Sequence, residues 1–422
     1  MKKYISIFSL IMLIASSCNL DLNPHSAVSP GSVGTKDIEA LRSGMYYNVQ
    51  ERPGTESYIM FDLFGGELTT KQSTNSLDLI NSLASANNSL MKEAWQGYYK
   101  ALMQVNNVYD IAQGLPEGSQ KNQILGECCY FRAYLHLCLV TRHGDVPLMK
   151  ENTDALVSRT PAAEVWQFIK DELDIAIDLL GTPTSINYLS ADAAKALRAR
   201  VALYTGEKSK ARDLAESLIA DARYNLDSFD KIFRAGTNNE IIFAFSCLTI
   251  ESSIAISTLF YSYNHPNAGS YVYAPAREVM SMFADTDTRK DVSITTVETL
   301  NCMNKYPSGQ AGTDPVVISR LGEMYLISAE AQGLEKGLPR LNKLRAFRGL
   351  PAIYPGTEAA FINAILDERR HELLCEGHRW YDLVRTGKAV ETLGIKPFQT
   401  LFPVPDTEIT KSKGVLTQNE GY

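Results

Sequence analysis

Apolar residues first fall into a helical rhythm at Ser89. Met91, Trp95, Tyr98, Leu102, Val105 and Tyr109 recur every three or four positions, which predicts an amphipathic helix ended by Gly114 and Pro116. A second stripe, Ile124, Cys128, Phe131, Leu135 and Cys138, continues to Gly144, and the pair reads as an antiparallel helical hairpin. Thr160-Pro161 supplies an N-cap and a first-turn proline for a third helix. Its face is Val165, Ile169, Leu173, Ala176 and Leu180, and Gly181-Thr182-Pro183 stops it. Ser190 then caps a fourth.

The stretch "ADAAKALRARVALYTGEKSKARDLAESLIADA" has the spacing of one tetratricopeptide repeat. Ala199 falls where two helices need a small contact, Gly206 at the turn, and Ala211 at the small position of the second helix. A further copy begins at "GEMYLISAEAQGLEKGLPRLNKLRAFRGLP", with Ala329 at the small position and Leu341, Leu344 and Phe347 extending the apolar face. Another helix pair follows "FINAILD". Helical repeats are thus expected over about 89–224 and 316–390.

Residues 225–315 break this pattern. "NNEIIFAFSC" alternates like a strand, Ile241, Phe243 and Phe245 against Ile242 and Ala244. "TLFYSYNHPNAGSYVYAPAREV" is rich in Tyr, Asn, Gly and Pro and has no helical period, so a long irregular lobe is expected. Trp95, Trp166 and Trp380 lie inside helical stripes and are assigned to the core. The aromatic residues left over for recognition are Tyr261, Tyr263, Tyr271 and Tyr273, with Asn264 and Asn267 among them; the alternative is that the tyrosines alternate on a strand with half of them buried, so that one or two reach a ligand. Tyrosine offers a stacking face and a hydroxyl at small entropic cost. His265 precedes a proline and reads as a turn residue.

With 422 residues, 45% hydrophobic and 21% charged, the chain can bury a large core. Its net charge of −7 and the absence of a basic run or Gly-rich phosphate loop argue against nucleic acid as a partner. The start, "MKKYISIFSLIMLIASSC", has a positive n-region, a short apolar stretch and small residues before Cys18, the pattern of a lipoprotein signal peptide (1–17) with lipidation at Cys18. Losing residues 1–17 removes two lysines and leaves a charge of −9. Residues 18–35 read as a tether and 36–422 as one domain. No CxxC pair occurs, so Cys128, Cys129, Cys138, Cys247, Cys302 and Cys375 are expected to be mostly buried thiols.

"ERRHELLCEGHRWYDLVRTG" poses the sharpest question. On a continuous helix His371, Cys375 and His378 would share a face and offer zinc-like donors. The stretch lacks H-E-x-x-H spacing and a fourth donor. Glu368, Glu372 and Glu376 instead alternate with Arg369, Arg370, Arg379 and Arg385, with Asp382 three residues before Arg385. Gly377 would end one helix, and Trp380 and Leu383 would anchor the next. The expectation is a structural ion-pair network with no metal and no cofactor.

"ILDERRHELLCEGHRWYDLVRTGK" closely resembles the C-terminal signature of the SusD/RagB family of Bacteroidetes surface lipoproteins. "LFPVPDTEITKSKGVLTQNEGY" resembles that family's ending, "FADTDTRKD" its D-x-R segment, "ISRLGEMYLISAEA" its R-x-x-E-x-Y-L helix, and "CCYFRAYLHLCLVTRHGDVPL" its F-R-A…G-D-V-P-L helix. The matches run in order from Cys18 to Tyr422. His371 and Cys375 depart from it, standing where a basic and an aromatic residue are usual. The resemblance implies a mainly all-α fold: four tetratricopeptide-like hairpins as a scaffold, with an irregular, loop-rich lobe containing a few short strands. It implies a non-catalytic, cell-surface nutrient-capture protein, lipid-anchored in the outer membrane, that binds an oligosaccharide or a peptide and caps a SusC-like TonB-dependent outer-membrane barrel. The chain is shorter than many members, a shortfall expected in the ligand-facing insertions. A lipid-anchored helical-repeat adaptor binding only protein is the alternative. A glycosidase would need two carboxylates across a cleft, which the sequence gives no means of pairing.

Overall fold

The computed structural model describes residues 34–70, 75–81, 84–234, 238–247, 254–262, 264–266 and 268–422. Eight helices of twelve residues or more carry the fold: α1 Ile38–Glu51, α2 Ser89–Gln113, α3 Ser119–His143, α4 Ala162–Leu179, α5 Ala191–Tyr204, α6 Lys208–Ile219, α7 Leu321–Phe347 and α8 Glu358–Glu372. Six short strands, β1 Leu68–Thr70, β2 Ile241–Phe245, β3 Tyr273–Pro275, β4 Ile294–Val297, β5 Leu300–Met303 and β6 Val316–Arg320, pair only as antiparallel twos: β1 with β3, β2 with β6, β4 with β5. The protein is mainly α-helical. Among the described residues no helix is long and apolar enough to cross a membrane.

The helix starts have local causes. The Asn88 side chain accepts from the Leu90 and Met91 N–H groups, Ser190 from Ala193, and Thr357 from Ala360, so each cap satisfies donors the helix leaves orphaned. From α2 to α6 each helix packs on the next in the chain; α6 then packs on α7, and α7 on α8. Gly206 turns α5 into α6 at φ +77, as the repeat spacing predicts. The helix α7 is itself a hairpin, broken at Gly333 (φ 71, ψ −179). Its arms meet so closely that a β-carbon on Gly337 would lie 2.0 Å from the Ala329 carbonyl oxygen, which is the physical reason for small residues at both positions.

Two expectations need correction. No helix is predicted before Ser89, yet α1 packs on α2 and buries Ile38, Met45 and Val49. Phe347 does not continue the apolar face: it is 47% exposed at the end of α7. The strand expected from the alternation at 241–245 forms as β2, buried on both sides. Residues 225–315 also hold short helices at Phe229–Arg234, Arg277–Met282 and Lys290–Ser293 between their strands.

The apolar side chains from Ile38 to Leu416 form one core cluster. The C-terminus closes onto its early part. Phe402 stacks on Phe64 at 4.2 Å, and the Asn419 side-chain amide donates to the His143 carbonyl at 2.9 Å and to that of Phe402 at 2.7 Å.

Candidate functional site

The segments with the most distinctive sequence converge on one buried carboxylate. Glu372, at the end of α8, receives Arg289 at 2.9 Å, Arg320 at 2.6 Å and Arg348 at 2.8 Å. Glu240 takes Arg320 and Arg348 at 3.0 and 2.7 Å, Glu376 takes Arg320 and Lys305 at 2.9 Å each, and Glu368 takes Arg289 and Arg345 at 2.7 and 2.6 Å. Asp287 grips Arg289 through two bonds of 2.9 and 2.8 Å. Five acids (Glu240, Asp287, Glu368, Glu372, Glu376) therefore face five bases (Arg289, Lys305, Arg320, Arg345, Arg348), and the cluster is neutral as a whole. Burial alone would raise the Glu372 and Glu376 pKa values. The surrounding cations override it, pulling Glu372 well below the usual carboxylate range and Glu376 to about 2.

The rest of the signature stretch is similarly spent. Arg369 donates to Asp382 at 2.7 Å, Asp382 holds Arg385 at 2.8 Å, and Arg385 reaches Glu330 at 2.5 Å. Arg370 and Arg379 converge on Glu67 at 2.8 and 3.2 Å. Gly377 adopts φ +75, and a β-carbon there would meet the Tyr58 carbonyl oxygen at 2.7 Å. The Asp62 carboxylate fixes this turn by accepting the Cys375 and Gly377 N–H groups at 2.9 Å each. Trp380 is fully buried beside Phe64. The ion network is structural, but its wiring differs from expectation. Asp382–Arg385 is a helical i,i+3 pair, whereas the partners of Glu372 come from three other segments.

The His371, Cys375 and His378 side chains do not share a helical face, because α8 ends at Glu372 and Cys375 sits at φ +58. Both His371 ring nitrogens are engaged, with the Asp367 carbonyl at 2.8 Å and the Met282 carbonyl at 3.0 Å. Burial lowers the His378 pKa to about 4, leaving its ring neutral at pH 7. No group of three or more His, Cys, Asp or Glu side chains among the described residues is placed to hold a metal ion. A chamber of about 90 Å³ lies behind the turn, lined by Tyr58, Tyr98, Arg142, Glu376 and His378 among others; it has room for a few waters but not for a sugar chain.

The irregular lobe sorts the candidate tyrosines. Tyr261 is 1% exposed, and its hydroxyl donates to Asn304 at 2.5 Å. Tyr273 is also 1% exposed, in β3, where it pairs with Thr70 of β1. As these side chains stand, neither can meet a ligand, which corrects the expectation for both. Tyr271, between them, is half-buried, and Asn264 is exposed. Tyr263, Asn267 and Cys18 lie outside the described residues. Tyr271 adopts φ +45, a left-handed conformation that costs a non-glycine residue of the order of 1 kcal/mol. Two contacts hold it there: its N–H donates to the Tyr261 carbonyl at 3.0 Å, and its hydroxyl to the Asn301 carbonyl at 3.0 Å. Gly269 makes that approach possible, since a β-carbon there would lie 2.3 Å from the Tyr261 oxygen. The polar side chains of Ser270, in the same loop, and Thr296, in β4, are exposed nearby.

Two family models match the chain: one described as "SusD family" over residues 297–396, the other as "Starch-binding associating with outer membrane" over residues 20–203. Among curated relatives, SusD-like protein P38 of Formosa agariphila is 24% identical, with 93% of this chain and 94% of the relative covered. SusD-like protein P2 of the same organism is 24% identical over the full length of both. Among solved structures, a laminarin-binding SusD-like protein superposes with a TM-score of 0.80 at 22% identity, covering 92% of this chain and all of the other. Surface glycan-binding protein A from Bacteroides thetaiotaomicron, in complex with laminarihexaose, gives 0.81 at 18% with the same coverage. With both family models matching, relatives aligned end to end and the same helical architecture in solved members, the chain belongs to the SusD/RagB family.

Proposed function

We propose that this protein captures oligosaccharides without cleaving them, at the outer membrane, and hands them to a TonB-dependent barrel. The observation that carries the reading is the end-to-end likeness to a fold with solved members named for laminarin binding and for a laminarihexaose complex. The family model described as starch-binding and associating with the outer membrane supports the same location and ligand class. The chemistry of the signature stretch agrees with a non-catalytic role. The side chains of Glu368, Glu372, Glu376 and Asp382 are all nearly covered and paired with cations, so none stands free to act as a glycosidase acid or nucleophile. The capture face is the outer side of the irregular lobe around Tyr271 and Asn264, where a strained, half-exposed tyrosine stands among polar side chains. Cys18 is the acylation point, residues 18–35 the tether, and 36–422 the single binding domain.

Calorimetry with laminarihexaose, maltohexaose, cellohexaose, xylohexaose and mannohexaose tests the ligand class. At least one should bind 1:1 without being hydrolysed, and Tyr271→Ala should weaken it. Absence of binding across the panel, or release of shorter sugars, overturns the reading. For the anchor, Cys18→Ala should move the protein from the membrane to the soluble fraction, and an unmodified Cys18 in membrane-bound protein would refute it.

A further inference from the structure

Half-exposed aromatic rings are scarce on the described surface, and two of them, Tyr47 (48% exposed) and Tyr188 (49%), line one cleft. Single exposed apolar residues need no explanation, but two in one concavity do. The cleft has a volume of about 810 Å³, between α1 and the turn that precedes α5, within the range of about 300–1,000 Å³ usual for ligand pockets. Neither Tyr271 nor Asn264 lines it.

Its walls are held in place before any ligand arrives. Tyr46 meets Tyr188 edge-to-face at 5.6 Å, and its hydroxyl accepts the Leu189 N–H at 3.0 Å. The Arg42 guanidinium lies 5.2 Å from the Tyr188 ring centroid and is fixed by two 2.6 Å bonds to buried Glu127. The Asn187 amide is tied to the Ala244 carbonyl at 3.0 Å, which sets the turn against β2. Both charged side chains of the lining are already partnered, since Glu39 sits 3.4 Å from Arg42 and accepts from Gln120 at 2.8 Å. A charged ligand would have to displace these pairs. A neutral ligand with apolar C–H faces and many hydroxyls would not. Tyr47 also borders a second depression of about 340 Å³ lined by Glu51, Arg52 and Lys100, so a chain crossing Tyr47 would reach both.

We propose that this cleft is a second saccharide site, distinct from the lobe around Tyr271, that takes a neutral oligosaccharide long enough to lie across Tyr47. The inference rests on the glycan-capture reading and adds a place and a length preference to it. The same five hexasaccharides, and the disaccharide of whichever binds, are titrated against Tyr188→Ala, Tyr188→Phe, Tyr47→Ala, Tyr271→Ala and, as a control away from both sites, Tyr354→Ala. Losing one stacking face should weaken the bound hexasaccharide roughly five- to tenfold in Tyr188→Ala and Tyr47→Ala. Tyr188→Phe keeps the face and should stay near wild type, Tyr354→Ala should not change, and the disaccharide should be less sensitive to Tyr47→Ala. If Tyr188→Ala lowers the melting temperature, Tyr47→Ala on the solvent side of α1 decides the matter by itself. A hexasaccharide weakened by Tyr271→Ala but untouched by Tyr188→Ala and Tyr47→Ala overturns the second site and leaves the capture reading standing. No binding by any hexasaccharide overturns both.

Discussion

Around Glu372, five acids and five bases are withdrawn from water and every one of them is paired. Around Tyr271, three strands and a run of turns leave a strained tyrosine, an asparagine and hydroxyls facing outward. The first region uses charge to fix where distant segments meet, and leaves nothing for a ligand. The second uses hydrogen-bonded turns to hold a surface, and buries two of its tyrosines to do so. The difference teaches that distinctive sequence marks the frame here, whereas the proposed capture face falls in stretches with little pattern. Buried ion pairs are costly to form, yet removing one partner strands the others in a dry interior.

The comparison can be broken most directly at Glu372. Glu372→Ala leaves Arg289, Arg320 and Arg348 without their shared anion, and should cost 3–5 kcal/mol or more by denaturant titration. A loss below about 1 kcal/mol would mean the cluster is not the frame. Asp382→Ala should follow at about 3 kcal/mol, and Arg379→Ala, which is only partly buried, should be milder. Tyr261→Ala should cost about 3 kcal/mol through its cavity and lost hydrogen bond, while Tyr271→Ala should leave the melting temperature nearly unchanged and weaken the glycan about fivefold. The reverse ranking would exchange the roles assigned to the two tyrosines.

Acid sharpens the same contrast. The Glu376 pKa is depressed to about 2 in the folded state from an ordinary 4.5, so its contribution is complete above pH 4.5 and is lost as pH falls toward 2. This is on the order of 3 kcal/mol and adds to the loss from Glu372, whose pKa is also lowered. Unfolding monitored by circular dichroism should steepen below pH 4. A Glu376→Gln variant should show less of this acid dependence. The smallest effect is expected from His371→Ala, which exchanges the ring's contacts with the Asp367 and Met282 carbonyl groups for water. Its stability should not respond to chelators, and one equivalent of zinc in the purified protein would contradict this.

Much of the frame was legible in the sequence because helices announce themselves within a dozen residues. The stripes at 91–109 and 124–138, the stops at Gly114 and Gly181, and the small residues Ala199, Ala211 and Ala329 all sit where periodicity places them. The helix α1 escaped because its buried residues, Ile38, Met45 and Val49, are spaced too thinly among polar ones. The ion cluster was visible as a charge pattern but not as a wiring diagram. Glu372 finds Arg289 and Arg320 across 83 and 52 residues, distances at which helical spacing says nothing. Which of the candidate tyrosines would be buried was hidden for a similar reason: β1, which pairs with Tyr273, lies some two hundred residues earlier. The Tyr46, Tyr47 and Tyr188 cleft had one faint signal, two adjacent tyrosines on the polar approach to the first regular stripe, and no sequence rule joins them to residue 188.

The closure of Asn419 on His143 bears on the order in which the molecule can be completed. The two residues are 276 positions apart. Helical hairpins such as α2–α3 close through near neighbours and form early, whereas a contact of this span waits for nearly the whole chain. Until residue 419 has been made, the His143 carbonyl at the end of the first hairpin has only a long 3.4 Å bond from Arg159. Trimming only the last four residues would therefore be felt at the far end of the molecule, as fraying at the C-terminus of α3.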